Sequence, residues 1–148
     1  MESLLHVASI AQVIQLAVAP VFLLTGVGAM LNVLASRIGR IIDRARVLEA
    51  ELARTTADAD DTHRRLAVLS RRARWINRAI GLCVFSGILV SVVVVSLFMS
   101  AAFKIDVALP IAVAFVMALL CLAAALIYFL REVFLATESL RFGGARPS

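Results

Sequence analysis

Residues 79–103 read AIGLCVFSGILVSVVVVSLFMSAAF and contain no Asp, Glu, Lys or Arg. As an α-helix this stretch rises about 37 Å, which exceeds the roughly 30 Å of a bilayer's hydrocarbon core. A helix satisfies its own backbone hydrogen bonds, so it can enter lipid without leaving polar groups unpaired. Residues 3–36 and 107–130 are also free of charged side chains. The sequence therefore predicts an all-α integral membrane protein with three transmembrane helices.

The whole chain is expected to form a single membrane domain, residues 1–148. Its predicted parts are transmembrane helices at 13–35, 79–103 and 107–130, a cytoplasmic helical hairpin at 37–78 and a cytoplasmic tail at 131–148. Composition agrees, because 62% of residues are hydrophobic and only 17% are charged, which is implausibly apolar for a water-soluble domain. The first apolar stretch lacks the basic start of a cleavable signal peptide, so we expect it to be retained.

Charge distribution predicts the orientation. Eleven of the 15 Lys and Arg residues lie between Arg37 and Arg78, three more lie after Leu130, and Lys104 alone lies in the other loop. By the positive-inside rule, we expect the hairpin and the C-terminus to be cytoplasmic and the N-terminus to be outside, across the cell's inner (plasma) membrane. Anionic lipid is the predicted partner of this charge, and nucleic acid is not expected, because the basic residues flank membrane spans.

The hydrophilic segment is predicted to be an antiparallel two-helix stalk that continues the first two spans. Apolar side chains recur at helical spacing on both sides of a turn at residues 55–62. They are Ile38, Ile41, Ile42, Ala45, Leu48 and Leu52 on one side, and Leu66, Leu69, Ala73, Ile76 and Ile80 on the other. Ion pairs three residues apart, such as Arg40 with Asp43, are expected to offset part of the repulsion among the arginines.

A stripe of small or polar residues follows one side of the first helix. It comprises Thr25, Gly28, Asn32, Ser36, Gly39 and Asp43. At 100° per residue the stripe occupies a sector of about 80°, centred roughly 150° from the apolar residues of the stalk. Lipid is a poor neighbour for the Asn32 amide, which would lose hydrogen bonds in hydrocarbon. The stripe is therefore expected to face another subunit, water or the chain's own third span.

If the stripe faces another subunit, it is a close-packing surface of a homo-oligomer. If it faces water, copies of it line an axial path with Arg37, Arg40 and Arg46 at the cytoplasmic mouth, where the same arginines could instead contact lipid. Pro20 lacks a backbone N–H and clashes with the preceding turn, so we expect a kink in the first span. Packing is the preferred interpretation, because small polar residues in spans mostly serve helix contacts.

The missing motifs predict a protein that is not an enzyme and binds no cofactor or metal. The predicted spans contain no charged side chain of the kind that coupled transporters bury on their pathway. The two histidines, His6 and His63, are predicted on opposite sides of the membrane. There is no GxSxG, phosphate-binding glycine loop, HExxH or EF-hand pattern. Cys83 and Cys121 lie within predicted spans and are expected to be inert thiols.

Three segments carry a resemblance to a known family: residues 19–28 (APVFLLTGVG), 31–34 (LNVL) and 37–46 (RIGRIIDRAR). They resemble a bacterial family of small membrane proteins catalogued as domain of unknown function 2721, over residues 7–140. The resemblance implies three spans and a bacterial membrane, and transfers no functional residue. Two functions are thus expected: a homo-oligomeric scaffold or regulator, whose basic stalk binds anionic lipid or an unidentified cytoplasmic partner, or a homo-oligomeric ion channel lined by the first helix.

Overall fold

The chain forms three long helices in a computed structural model. They are α1 (Glu2–Arg54), α2 (Ala59–Phe103) and α3 (Ala108–Arg141). The structure describes the backbone of residues 2–54, 59–103 and 107–141, and the side chains of residues 11–54, 60–103 and 107–134. Apart from Val107, the secondary structure of these residues is α-helical, which confirms the predicted all-α class. The predicted turn at residues 104–106 and most of the tail after residue 134 lie outside the described side chains.

All three helices are long and apolar enough to cross a membrane. The candidate spans are Ala11–Arg54, Asp60–Phe103 and Ala108–Phe134. By length and composition, these helices fit the predicted multi-pass membrane protein. The helix that carries the third candidate span continues beyond the predicted boundary at Leu130 and includes Arg131 and Glu132.

Burial follows a seven-residue repeat along each helix. The buried positions in this repeat are Pro20, Val27, Leu34 and Ile41 in α1, Leu69, Ile76, Cys83 and Val90 in α2, and Ala118, Ala125 and Glu132 in α3. A second series in α2 contains Ala79, Ser86 and Val93, each offset by three residues from the first. This 3.5-residue period is typical of helices that pack side by side along a left-handed seam.

The residues group into two compact units. The first unit contains residues 1–31 and 82–123. Within it, the Ser86 hydroxyl donates a hydrogen bond to the Ala118 carbonyl at 2.8 Å, joining α2 to α3 in a buried position. A Cβ added at Gly87 would lie 3.5 Å from Cγ1 of Val27, so α1 passes close to α2 there. Small residues allow such close approach of helices in membranes.

The second unit contains residues 32–81 and 124–148. Within it, one groove is lined by Ile41 and Ala45 of α1 and by Leu66, Leu69 and Ala73 of α2, all members of the two predicted apolar series. Ile41 and Leu69 are buried. Burying these side chains stabilises the unit by about 1.5–3 kcal/mol for each large aliphatic group that is fully covered.

The turn between α1 and α2 is shorter than predicted. α2 begins at Ala59, so residues 60–62 belong to its first turn and not to the connection. The negative charges of Asp60 and Asp61 interact favourably with the positive N-terminal end of the helix dipole. Asp61 also forms an ion pair with Arg65 at 2.7 Å. Residues 55–58, the remainder of the predicted turn, lie outside the described residues.

Pro20 does not interrupt α1, which is one helix from Glu2 to Arg54. The helix is therefore not broken at Pro20, and a bend there stays a prediction. Pro20 is buried and lines an apolar cavity of about 410 Å³ with residues of α2 and α3. Helices in membranes tolerate proline when neighbouring helices pack against the freed turn.

Candidate functional site

Glu132 is a fully buried carboxylate in α3. Its exposed fraction is 0%, and it stands at the end of the seven-residue series that begins at Ala118. It lies in the helix that contains the third candidate span, two residues beyond the uncharged run of residues 107–130. A buried carboxylate is costly unless it is paired and hydrogen-bonded. Glu132 is therefore the first candidate for a functional residue.

Two arginines from the other helices hold the Glu132 carboxylate. Arg37 of α1 donates from Nη1 to Oε2. Arg72 of α2 donates to Oε1 from Nη2 at 2.8 Å and from Nε at 3.2 Å. Both carboxylate oxygens are thus engaged, and all three helices of the second unit contribute one side chain. We call this set, Arg37, Arg72 and Glu132, the ionic cluster.

The ionic cluster is positioned by the helical repeat. Arg72 precedes Ala79 and Ser86 by seven and fourteen residues, so it occupies the same side of α2 as these buried side chains. The Arg37 and Arg72 side chains remain 30% and 21% exposed, while that of Glu132 is 1% exposed. Charge-assisted hydrogen bonds offset the desolvation of Glu132, and the guanidinium groups keep part of their hydration.

Aromatic rings lie beside the ionic cluster in the same unit. The rings of Trp75 and Tyr128 have centroids 5.4 Å apart and are tilted by 34°. Cζ of Arg37 lies 5.1 Å from the Phe129 ring centroid, a cation–π distance. Arg78 and Arg131 stand over Trp75 at 5.6 and 5.9 Å. The charged heads of these arginines therefore lie over aromatic rings.

A cavity of about 260 Å³ opens beside the ionic cluster. Its lining is Arg37, Arg40, Ile41, Arg44, Leu69, Arg72 and Glu132. Four guanidinium groups and one carboxylate give this cavity a formal charge of +3. We call it the basic cavity. The grooves in the first unit are instead lined almost entirely by apolar side chains.

From the sequence alone, Glu132 falls in the predicted tail of residues 131–148 with no assigned role, and Arg37 is named only for the cytoplasmic mouth or lipid contact. α3 continues without a break past Leu130, so Glu132 keeps the buried side that Ala118 and Ala125 define. Arg37 turns toward Glu132 and Phe129. The seven-residue spacing of Ala118, Ala125 and Glu132 is the sequence signal that could have identified this site.

The stripe residues of α1 are mostly exposed. Thr25 and Gly28 belong to the first unit, and Asn32, Ser36, Gly39 and Asp43 to the second; of these six only Gly39 is half-buried. Ser36 donates its hydroxyl to the Val33 carbonyl of its own helix at 2.9 Å. The chain's own helices therefore leave these side chains uncovered, in contrast to the buried Leu34 and Ile41 on the other side of α1.

The three arginines predicted for a cytoplasmic mouth or lipid contact have different surroundings. Arg37 belongs to the ionic cluster, Arg40 lines the basic cavity, and Arg46 is exposed. Among the ion pairs of the described side chains there is none between Arg40 and Asp43, contrary to the spacing-based prediction. Arg40 is therefore left facing the basic cavity without that neutralising partner.

Within the described residues, no group of three or more His, Cys, Asp or Glu side chains could hold a metal ion. Comparison with known proteins gives one match. A family model described as "Protein of unknown function (DUF2721)" matches residues 17–142, beginning ten residues later than the resemblance suggested. No curated protein and no solved structure matches the chain. The function therefore has to be argued from the residues themselves.

Proposed function

Because the chain belongs to the DUF2721 family, whose function is unknown, we propose its role from its own surfaces: a non-catalytic membrane protein that self-associates through α1 and acts as a scaffold or regulator. In this proposal the two stripe segments, Thr25 with Gly28 and Asn32 with Ser36, Gly39 and Asp43, contact another copy of α1. The stalk of residues 37–78 is an antiparallel helical hairpin in the cytoplasm of a bacterial cell, and the N-terminus is outside.

The exposure of Asn32 is the observation that supports self-association most strongly. Its neighbour across the helix, Leu34, is 0% exposed, whereas Asn32 is exposed on an α1 that is apolar enough to span a membrane. An amide in hydrocarbon loses about 4–8 kcal/mol of hydrogen bonding, measured against cyclohexane. A second copy of Asn32 can supply both a donor and an acceptor, since each amide carries both groups.

The first unit offers a complementary feature next to the stripe. Gly28 lines a groove of about 570 Å³ with Val27 and Leu31 of α1 and with Gly87 and Ser91 of α2. A Cβ added at Gly28 would meet nothing within 4 Å. Side chains of a second copy can therefore approach the α1 backbone at Gly28, as in other small-residue contacts between membrane helices.

The first test is the effect of Asn32→Leu on assembly, measured as oligomer mass in mild detergent and after reconstitution. Leucine keeps the number and branching of the asparagine side-chain heavy atoms but removes the amide, so we expect a smaller oligomer or a weaker one. Val33→Ala is the matched control, because Val33 is the next residue and is also exposed. A solitary protomer in the unsubstituted protein, or equal masses for all three proteins, would contradict the proposal.

Ion flux in liposomes separates the scaffold from the channel. A scaffold leaves purified liposomes impermeable, whether or not Asn32 is replaced. A channel lined by α1 passes ions, and Asp43→Asn then shifts its reversal potential, because Asp43 is an exposed charge near Arg40 and Arg46. Ion flux whose reversal potential shifts with Asp43→Asn would support the channel and contradict the scaffold.

A further inference from the structure

We propose that the basic cavity is a binding site for a phosphate-type oxyanion, with Glu132 as the residue that positions its arginines. This inference goes beyond the proposed function, because it concerns a ligand site formed by α1, α2 and α3 within the second unit. Self-association through the stripe could fail while the anion site remained, and the reverse also holds.

The excess positive charge in the cavity argues for an anion. Glu132 compensates one charge, and its two oxygens are already occupied by Arg37 and Arg72. Arg40 and Arg44 line the same cavity, and among the described side chains neither takes part in an ion pair. Like charges four residues apart on a helix repel, so the pair destabilises α1 when the cavity holds no anion.

The geometry of the arginines suits an oxyanion. A guanidinium group carries five N–H donors in a planar fork that matches carboxylate or phosphate oxygens. Arg37 uses one terminal nitrogen on Glu132, and Arg72 uses Nε and one terminal nitrogen, so each retains donors. Because Glu132 fixes both guanidinium groups, they are oriented before a ligand arrives. This reduces the conformational entropy that is lost on binding.

The size of the cavity also fits. Its volume of about 260 Å³ is many times the ~10–15 Å³ that one water molecule requires. Ile41 and Leu69 form an apolar part of its lining beside the four arginines. A tetrahedral phosphate group can therefore enter with its oxygens toward the guanidinium groups. The same chemistry is offered by the headgroup of an anionic lipid and by free phosphate.

The experiment uses the full-length protein in nanodiscs, with Trp75 as an intrinsic reporter. Trp75 is the chain's single tryptophan and lies one helical turn from Arg72. One arm titrates inorganic phosphate into nanodiscs of phosphatidylcholine and follows fluorescence. The other arm offers phosphatidylglycerol mixed with phosphatidylcholine and counts retained lipids by native mass spectrometry. Signal in the first arm identifies free phosphate as a ligand, and signal confined to the second identifies a lipid headgroup.

The discriminating variant is Arg40→Gln with Arg44→Gln, which removes two cavity charges and leaves the ionic cluster intact. Loss of charge-assisted hydrogen bonds should weaken binding at least about tenfold in whichever arm gives a signal. Arg64→Gln with Arg71→Gln is the matched control, since both residues are exposed on α2 and outside the cavity. This control should change binding less than about twofold.

Three results would overturn the proposal: no retention of either ligand, equal binding by the Arg40/Arg44 variant and the unsubstituted protein, or equal weakening by both double variants. The last result would mean that net charge alone attracts the anion. Oligomer mass is recorded for every variant, because Arg40 lies on the same helix as the stripe. A binding loss without a change in mass then assigns the effect to the cavity.

Discussion

Replacing Glu132 by Gln should destabilise the protein more than the loss of any exposed charge. In the ionic cluster both carboxylate oxygens accept hydrogen bonds, one set from Arg37 and one from Arg72. Glutamine offers a single oxygen, and its NH₂ group would face one of the two guanidinium groups as donor against donor. The substitution also removes the negative charge between two positive charges, while Glu132 itself has an exposed fraction of 0%.

The expected loss is about 3 kcal/mol of unfolding free energy. Removing one partner of a buried ion pair costs about 3–5 kcal/mol, and the lower end applies because the arginines can turn partly to water. Their side chains are 30% and 21% exposed. Glu132→Asp keeps the charge on a shorter side chain, so it should recover part of the loss. Glu49→Gln, at an exposed site, should change stability by no more than about 0.5 kcal/mol.

The assay is reversible unfolding by a denaturing detergent in mixed micelles, followed by circular dichroism and by Trp75 fluorescence. Trp75 contacts Tyr128 in the same unit as the ionic cluster, so its fluorescence reports the surroundings of Glu132. Coincident transitions by both probes license a two-state free energy. If Glu132→Gln proves as stable as Glu49→Gln, the burial and pairing of Glu132 have no energetic role and the reasoning is refuted.

Three further predictions concern packing and orientation. Ser86→Ala should lower the unfolding free energy by about 0.6 kcal/mol in the same assay, because it removes the hydrogen bond to the Ala118 carbonyl, and an unchanged value would contradict this. Gly87→Leu should cost about 1–3 kcal/mol by overpacking against α1, whereas Gly81→Leu, with open space around it, should cost less; equal losses would argue against the close approach. Arg64→Cys in a protein with Cys83→Ala and Cys121→Ala should react with a membrane-impermeant maleimide only after the cytoplasmic side is opened. Labelling in intact cells would show that residue 64 is outside, contrary to the predicted orientation.

Much of the fold is predictable because lipid offers no hydrogen-bond partner to backbone N–H and C=O groups. A stretch such as residues 79–103 has few alternatives to a spanning helix. The apolar series also contain the buried Ile41, Leu69 and Ile76, because a helix brings the same side round every 3.6 residues, although Ile42 of the same series is exposed. These conclusions depend on local sequence and on helix geometry alone, so no knowledge of distant contacts is required.

The candidate site was harder to predict because charge alone misleads at a span boundary. Glu132 follows Arg131 and lies just beyond an apolar run, where a solvated side chain is the usual expectation. Its burial depends on α3 continuing to Arg141 and on Arg37 and Arg72, which are 95 and 60 residues away in sequence. The spacing of Arg40 and Asp43 also misleads, because an ion pair between exposed side chains is worth only a few tenths of a kcal/mol and does not hold them together.

Disulfide crosslinking in native membranes tests self-association through α1 most directly. Asn32→Cys and Val33→Cys are compared in a protein with Cys83→Ala and Cys121→Ala; both sites are exposed, but Asn32 belongs to the stripe and Val33 is one residue, about 100°, away from it. The account predicts rapid dimer formation by Asn32→Cys under mild oxidation and little by Val33→Cys. Absence of the dimer at position 32, or equal crosslinking at both positions, would contradict it.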